Sequence, residues 1–247
     1  MCDVCGCGDT NLVSVDVHTS LLSQNDLDAA NLRAHFFEDG VTAINLMGSP
    51  GSGKTALLEA TARAFGGRRR LAAVSGDLAT SNDADRLGRV GIPSAAITTG
   101  TACHLDAKMV DESLHGTPVG AAVHACEFFF IENVGNLVCP AIYDLGQAAN
   151  VVALAVTEGV DKPLKYPVMF KNADLVVLTK TDLLPYLDDV SVDAIRDALA
   201  RVMPEPRLIE VAATKGKGLD QWLAWLEERR ARVLASRCDG FAVSAGG

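Results

Sequence analysis

Val41-Thr42-Ala43-Ile44-Asn45-Leu46-Met47-Gly48-Ser49-Pro50-Gly51-Ser52-Gly53-Lys54-Thr55 is the stretch whose reading decides the fold. Its first seven residues are an apolar run, and its last eight fit G-x-x-x-x-G-K-[ST] at every fixed position. Good helix formers follow, Ala56-Leu57-Leu58-Glu59-Ala60. Strand, glycine-rich turn and helix in that order are the context a phosphate loop requires. The glycines let the backbone curl so that N–H groups from Gly48 to Ala56 point at phosphate oxygens, at the positive end of the next helix. Lys54 is placed to reach the β- and γ-phosphates, and the Thr55 hydroxyl to ligate magnesium. A chance lysine in a glycine-rich turn is the alternative, and full motif plus context tells against it.

Outward from this loop, strands and helices alternate. The pattern predicts strands at 41–47, 70–75, 94–98, 126–132, 150–157, 174–179 and 207–212. Helices are predicted over 21–37, 54–66, 82–89, 104–114, 163–170, 191–202 and 218–235. Runs such as Val151-Val152-Ala153-Leu154-Ala155-Val156 have no polar face, which argues for strands buried on both sides. The expected fold class is α/β: a three-layer P-loop NTPase domain with a mostly parallel central sheet flanked by helices. Residues 1–20 read as a cysteine-rich tail and linker, 21–237 as the nucleotide-binding domain with an N-terminal helix, and 238–247 as a C-terminal tail. Trp222, Trp225 and Leu226 fall at i, i+3, i+4 and read as the core stripe of the last helix.

Charge narrows the function. Thirty-one acidic residues against 22 basic ones give −9, and no basic run exceeds Arg68-Arg69-Arg70, so nucleic-acid binding through phosphate neutralisation is not expected. No apolar run approaches 18 residues, and a cytoplasmic protein without a membrane partner is expected. Seven cysteines in such a chain point to metal or thiol chemistry rather than disulfides.

Three further segments suit a GTP site. Thr179-Lys180-Thr181-Asp182 ends an apolar strand and fits the N/T-K-x-D pattern. Asp182 would accept hydrogen bonds from guanine N1–H and its exocyclic amine, and the Lys180 stem would lie along the base. A strand-terminal turn with solvated side chains is the other reading. Phe129-Phe130-Ile131-Glu132-Asn133-Val134-Gly135-Asn136 ends a strand in an acidic residue followed by x-x-Gly. Glu132 would act on magnesium through water, and the Gly135 N–H would bond the γ-phosphate. Asn136 stands where a hydrolytic glutamine is usual, so slow intrinsic hydrolysis is expected, accelerated by a partner or by dimerisation. Asp77, in Ser75-Gly76-Asp77-Leu78, is either a magnesium or water-positioning carboxylate or a helix cap. The expected catalytic set is Lys54, Asp77, Glu132 and Gly135, with Thr55, Asp77 and Glu132 around the magnesium. Ala213 retains one position of the loop expected behind the guanine.

The cysteines divide into two groups. Cys103-His104 and Cys139 offer two thiolates and an imidazole, suited to zinc or nickel, with a purely structural role as the alternative. Cys139 matters because it lies on the segment expected to sense the γ-phosphate. Three ligands leave a fourth position for water or for a second copy of the chain. In the tail, removal of Met1 would free the Cys2 α-amine, which with the Cys2, Cys5 and Cys7 thiolates would form an N/S₃ set that suits nickel, with labile zinc, an iron–sulfur cluster or redox thiols as alternatives. Cys126 reads as a core thiol and Cys238 as incidental. His18, His35, His115 and His124 show no ligand spacing and read as solvated or capping residues.

The Cys-x-x-Cys-Gly-Cys start, Asn45 to Gly51, Gly76-Asp77, Cys103-His104-Leu105-Asp106 and Glu132 to Pro140 together resemble the hydrogenase nickel-incorporation GTPase family, HypB. The resemblance implies a metallochaperone GTPase of the signal-recognition-particle and nitrogenase-iron-protein (SIMIBI) class. It implies GTP, magnesium, nickel and zinc as ligands, and delivery of nickel to the [NiFe]-hydrogenase large subunit. It also implies a homodimer and a small zinc-containing nickel chaperone, HypA, as partner. By the same resemblance Cys2, Cys5 and Cys7 carry a high-affinity nickel site, and Cys103, His104 and Cys139 a weaker nickel or zinc site. Thr179 and Ala212-Ala213-Thr214 depart from the commonest family pattern around the base. Service to another nickel enzyme such as urease, an ATP-using kinase or ATPase with structural cysteines, and a redox or zinc-sensing switch are the competing readings.

Overall fold

The computed structural model describes residues 15–244, so Cys2, Cys5 and Cys7 and the metal site expected there lie outside the described residues. Seven strands form one sheet: β1 Thr42–Met47, β2 Leu71–Asp77, β3 Ser94–Thr98, β4 Phe128–Glu132, β5 Ala149–Ala155, β6 Leu175–Thr179 and β7 Leu208–Glu210. Their spatial order is β3-β2-β4-β1-β5-β6-β7, and every pairing is parallel. The sheet is therefore parallel throughout, where a mostly parallel one was expected. All six residues of β1 and all five of β4 are buried, as strands covered on both faces must be.

The helices are α1 Val15–Asp39, α2 Lys54–Phe65, α3 Asn82–Arg89, α4 Ala107–Leu114, α5 Pro118–Val123, α6 Lys162–Lys165, α7 Pro167–Lys171, α8 Val192–Ala200 and α9 Leu219–Ser244. On one face, α2 and α9 cover β1, β4 and β5; Trp222, Trp225 and Leu226 are buried there as their spacing predicts. The Trp222 indole N–H donates to Thr61 Oγ1 at 2.8 Å, which fastens α9 to the helix that follows the phosphate loop. On the other face, Leu32 and Phe36 of α1 and Val110 of α4 pack on Phe129 and Ile131.

Several boundaries differ from the sequence pattern. The helix expected at 21–37 begins at Val15, inside the expected linker, because residues 15–20 contain no glycine or proline to stop it. Likewise α9 continues to Ser244 past the lone Gly240, through the expected C-terminal tail. The helix predicted at 163–170 is two short helices that meet at Tyr166, since Pro167 opens α7 and cannot continue α6. Helix α5 was not predicted; Thr117 caps it by accepting the Gly120 N–H, with Pro118 at its first position.

Candidate functional site

The phosphate loop leaves β1 at the middle of the sheet, where neighbouring strands run to crossovers on opposite sides. In an open parallel sheet this is where a crevice forms at the carboxyl ends of the strands. Register sets the second wall: Leu46 of β1 pairs with Glu132 of β4, so the acidic strand end lies beside the loop.

Loop geometry follows from its glycines. Gly51 and Gly53 have φ of 73° and 93°, in the left-handed region that a side chain disfavours. Helix α2 begins after Gly53 with no side-chain cap and no acid in its first turn, which leaves its N–H groups for an anion. Lys54 is buried, and its ammonium donates to the carbonyls of Gly48 and Ser49, each at 3.3 Å. Burial pulls its pKa below the ordinary lysine value, while Glu132, Asp83, Glu158 and Asp77 oppose that fall.

Opposite Lys54 is a carboxylate cluster. The Thr55 hydroxyl lies 2.7 Å from Glu132 Oε1 and 2.9 Å from Asp83 Oδ1. Glu132 is 2 % exposed, and its Oε2 has no hydrogen-bond partner. Burial pushes its carboxyl up to about 7, against the Thr55 bond and the Lys54 charge. A buried carboxylate oxygen without a donor, next to a threonine hydroxyl, has the chemistry of a magnesium site. Asp83 joins this cluster from α3, and Arg86 holds it at 3.2 Å while also bonding Glu59 at 3.0 Å. Sequence reasoning missed Asp83, because it falls in no motif and only the packing of α3 on α2 brings it to Thr55. Asp77 lines the same cleft of about 430 Å³. Its Oδ1 accepts the N–H groups of Ala79 and Thr80, and these backbone bonds hold its carboxyl below the usual range. Asp77 does not cap α3, whose N-cap is Ser81; it closes the turn after β2, and Asp83 is the carboxylate bonded to Thr55.

The residues expected around the base converge at the other end of the loop. Gly53, Ala56, Thr179, Lys180, Asp182 and Ala213 line a cavity of about 260 Å³. Thr179 is buried and its hydroxyl donates to the Ser52 carbonyl at 2.5 Å, which ties the strand end to the phosphate loop. Lys180 has φ 57°, the one positive value among the described residues other than glycine. Such a strained turn persists where surrounding structure fixes it, commonly at ligand sites.

Gly135 lies against the loop: a Cβ there would stand 2.9 Å from Pro50 N and Cα. From Gly135 the chain reaches Cys139, which stands with Cys103 and His104 in a cluster that could hold a metal ion. Cys103 Sγ, Cys139 Sγ and a His104 ring nitrogen lie within 4.8 Å of one another. The two sulfurs are 2.8 Å apart, closer than the roughly 3.8 Å that two thiolates keep on one tetrahedral zinc, so an ion would have to part them. His104 is 2 % exposed and stacks on Tyr143 at 3.8 Å. Burial lowers its pKa, which favours the neutral imidazole that can ligate a metal.

Two asparagines wire the triad to the nucleotide cleft. Asn136 donates from Nδ2 to the Cys103 carbonyl at 3.2 Å and accepts the Val138 N–H at 2.9 Å. Asn133 accepts the Leu105 N–H at 3.2 Å and donates to Asn45 Oδ1 on β1, also at 3.2 Å. Cys126 is a core thiol, as read from the sequence: burial pushes it up to about 12, and it donates to the Val123 carbonyl. Exposed His115 lies 2.8 Å from the Asp111 carbonyl. His35 and His124, by contrast, come together with Asp39, which their 89-residue separation in the chain could not reveal.

A family model described as CobW/HypB/UreG, nucleotide-binding domain, matches residues 42–209. The hydrogenase maturation factor HypB of Azotobacter chroococcum mcd 1 is 47 % identical over 234 residues, covering 94 % of this chain and 74 % of that protein. The hydrogenase/urease maturation factor HypB of Helicobacter pylori strain 26695 is 38 % identical over 218 residues, covering 87 % of this chain and 88 % of that protein. Among solved structures, HypB from Helicobacter pylori in complex with nickel superposes with a TM-score of 0.80 at 38 % identity, over 85 % of this chain and 96 % of that one. The signal recognition particle receptor FtsY from Elizabethkingia anophelis shares the fold alone, with a TM-score of 0.50 at 15 % identity over 84 % and 77 % of the two chains.

Proposed function

Because the chain belongs to the CobW/HypB/UreG nucleotide-binding family, and within it to the HypB maturation factors, we propose that it is a GTP-hydrolysing nickel metallochaperone serving [NiFe]-hydrogenase maturation. The observation that carries this reading is the span from Glu132 to Cys139. One end touches the phosphate loop through Gly135, and the other supplies a thiol to the Cys103–His104–Cys139 triad.

In the bound state Lys54 and the α2 N–H groups hold the phosphates, and Asp182 selects guanine. Thr55, Glu132 and Asp83 would hold magnesium, which when bound would supply charge stabilisation to the phosphoryl group. The Gly135 N–H bonds the γ-phosphate and keeps the 132–139 span against the loop. Loss of that phosphate frees the span, and Asn136 transmits the movement to the Cys103 carbonyl. Nickel is the cargo, held by the two thiolates and the neutral His104 ring. Linkage then requires nickel and nucleotide to change each other's affinity by the same factor.

The fourth ligand is proposed to come from a second copy or a partner such as the HypA chaperone. Val138 and Ile142, on either side of Cys139, are 54 % and 53 % exposed and supply an apolar rim for that contact. The abundance of thiols is consistent with a reducing cytoplasmic setting, and among the described residues no helix is long and apolar enough to cross a membrane. The tail thiols Cys2, Cys5 and Cys7 are proposed as the tighter nickel site, zinc competing at both sites. Urease as an alternative recipient is supported by the name of the Helicobacter pylori relative.

Nickel titration of the full chain with GDP and with a non-hydrolysable GTP analogue tests the gate. Affinities at the triad should differ between the two states, and equal values would refute the coupling. Cys139→Ala should abolish the difference while GTP affinity stays within about twofold; loss of both would assign Cys139 a structural role. Asp182→Asn removes the acceptor for two guanine hydrogen bonds. It should weaken GDP binding by roughly 10- to 100-fold and leave ADP binding unchanged, as read by competition.

A further inference from the structure

At the opposite end of the sheet from the nucleotide, three side chains converge. His35 and Asp39 stand one turn apart at the end of α1, and His124 follows α5. His35 Nε2 is 3.4 Å from His124 Nδ1 and 3.2 Å from Asp39 Oδ2, and His124 Nδ1 is 2.8 Å from that same oxygen. Two imidazoles and a carboxylate therefore aim three donor atoms at one point.

The spacing fits an ion. Donors about 2.0–2.1 Å from a metal stand about 3.3 Å apart in a tetrahedral site and about 2.9 Å apart in an octahedral one. The three observed separations span that interval. A solvated ion-pair cap needs only one histidine on the carboxylate; here one oxygen serves both rings, and the rings face each other with centroids 5.0 Å apart.

The supports are rigid. Phe36, next to His35, packs on Phe129 at 5.3 Å. The Arg230 guanidinium donates to the carbonyls of Gly40 and Glu127 at 3.0 and 3.1 Å, which clamps the chain just after Asp39 to the chain just after His124. The side chains of His35, Asp39 and His124 are 34 %, 28 % and 59 % exposed, so an ion reaches them from solvent without rearrangement.

We propose that His35, Asp39 and His124 form a metal site separate from every cysteine, a two-histidine, one-carboxylate face for divalent zinc or nickel. Imidazole nitrogen suits both ions, and three protein ligands leave open positions for water, so the ion is exchangeable. Gly40 and residues 125–127 lead from the site into the starts of β1 and β4, whereas the phosphate loop and Glu132 lie at those strands' far ends. The site is thus outside the nucleotide-linked segment, and its affinity is the same with GDP and with a GTP analogue.

Equilibrium dialysis of the full chain against zinc(II) and, separately, nickel(II) tests this, comparing the native protein with His124→Ala and Asp39→Asn. Each variant should bind one ion fewer per chain with at least one of the two metals, with GDP affinity unchanged. With cobalt(II) as probe, a band from nitrogen and oxygen ligation should be lost while thiolate-to-cobalt charge transfer persists. An unchanged metal count in both variants would overturn the proposal, including the case where the melting temperature alone falls, which would make the cluster an ion-pair cap. Lost binding accompanied by lost thiolate charge transfer would overturn it too. Circular dichroism confirms folding of each variant.

Discussion

Glu132→Gln is expected to reduce magnesium-dependent GTP turnover by on the order of 100-fold while making the nucleotide-free protein more stable above pH 7. Glutamine keeps an acceptor for the Thr55 hydroxyl but brings no charge to the metal. In the fold, burial raises the Glu132 carboxyl to about 7 from its ordinary value of 4.5. A carboxyl whose pKa rises on folding favours the native state in its protonated form. That contribution is fully present below about 4.5 and is lost as the pH climbs through about 7. Above pH 7 the buried charge costs stability, and the neutral amide should recover about 1–3 kcal/mol of it. Thermal denaturation at pH 5 and pH 8 without nucleotide reads this directly: the gain belongs at pH 8 alone. Bound magnesium would reverse the preference, because a dication beside the carboxylate favours the ionised form. Magnesium affinity should therefore rise with pH up to about 7 and then level off. Equal stability of variant and native protein at both pH values would mean that Glu132 is ionised throughout.

Gly135→Ala is expected to lower affinity for a GTP analogue by roughly 10- to 100-fold and to leave GDP affinity within about threefold. The added methyl would stand 2.9 Å from Pro50 backbone atoms, so either the 132–139 span or the phosphate loop must retreat. Retreat removes one N–H from the γ-phosphate, and a bond to a charged group is worth about 1.5–3 kcal/mol. The same retreat should erase any nickel affinity difference between the two nucleotide states. Calorimetric titration with each nucleotide measures the split. Equal losses for GDP and the analogue would show that the whole loop had been displaced and that Gly135 serves packing rather than γ-phosphate sensing.

Much of the site was legible because its parts are local in sequence. The loop from Gly48 to Thr55, the strand end at Glu132 and the Thr179–Asp182 turn each carry their chemistry within a few residues. The cleft and the cavity beside Thr179 bring together the residues those motifs named. Asp83 was not legible, because nothing around it marks a ligand; it matters only where α3 packs on α2. Asp77 illustrates the reverse: the turn that follows it engages the oxygens the motif would offer to a metal.

By itself the sequence determined the fold class and the phosphate-binding chemistry, because apolar periodicity and a glycine-rich turn act over the range of one or two elements. It also named Cys103, His104 and Cys139 as partners, through their residue types and their place near the γ-phosphate segment. Only the tertiary structure decided what joins them. The parallel pairing of β1 with β4 sets Glu132 beside the loop, and Asn133 and Asn136 then tie that strand end to the Cys103–Leu105 turn. The His35–Asp39–His124 cluster belongs wholly to that second kind. Its members meet because α1 and α5 lead into neighbouring strands, and no spacing along the chain records that adjacency.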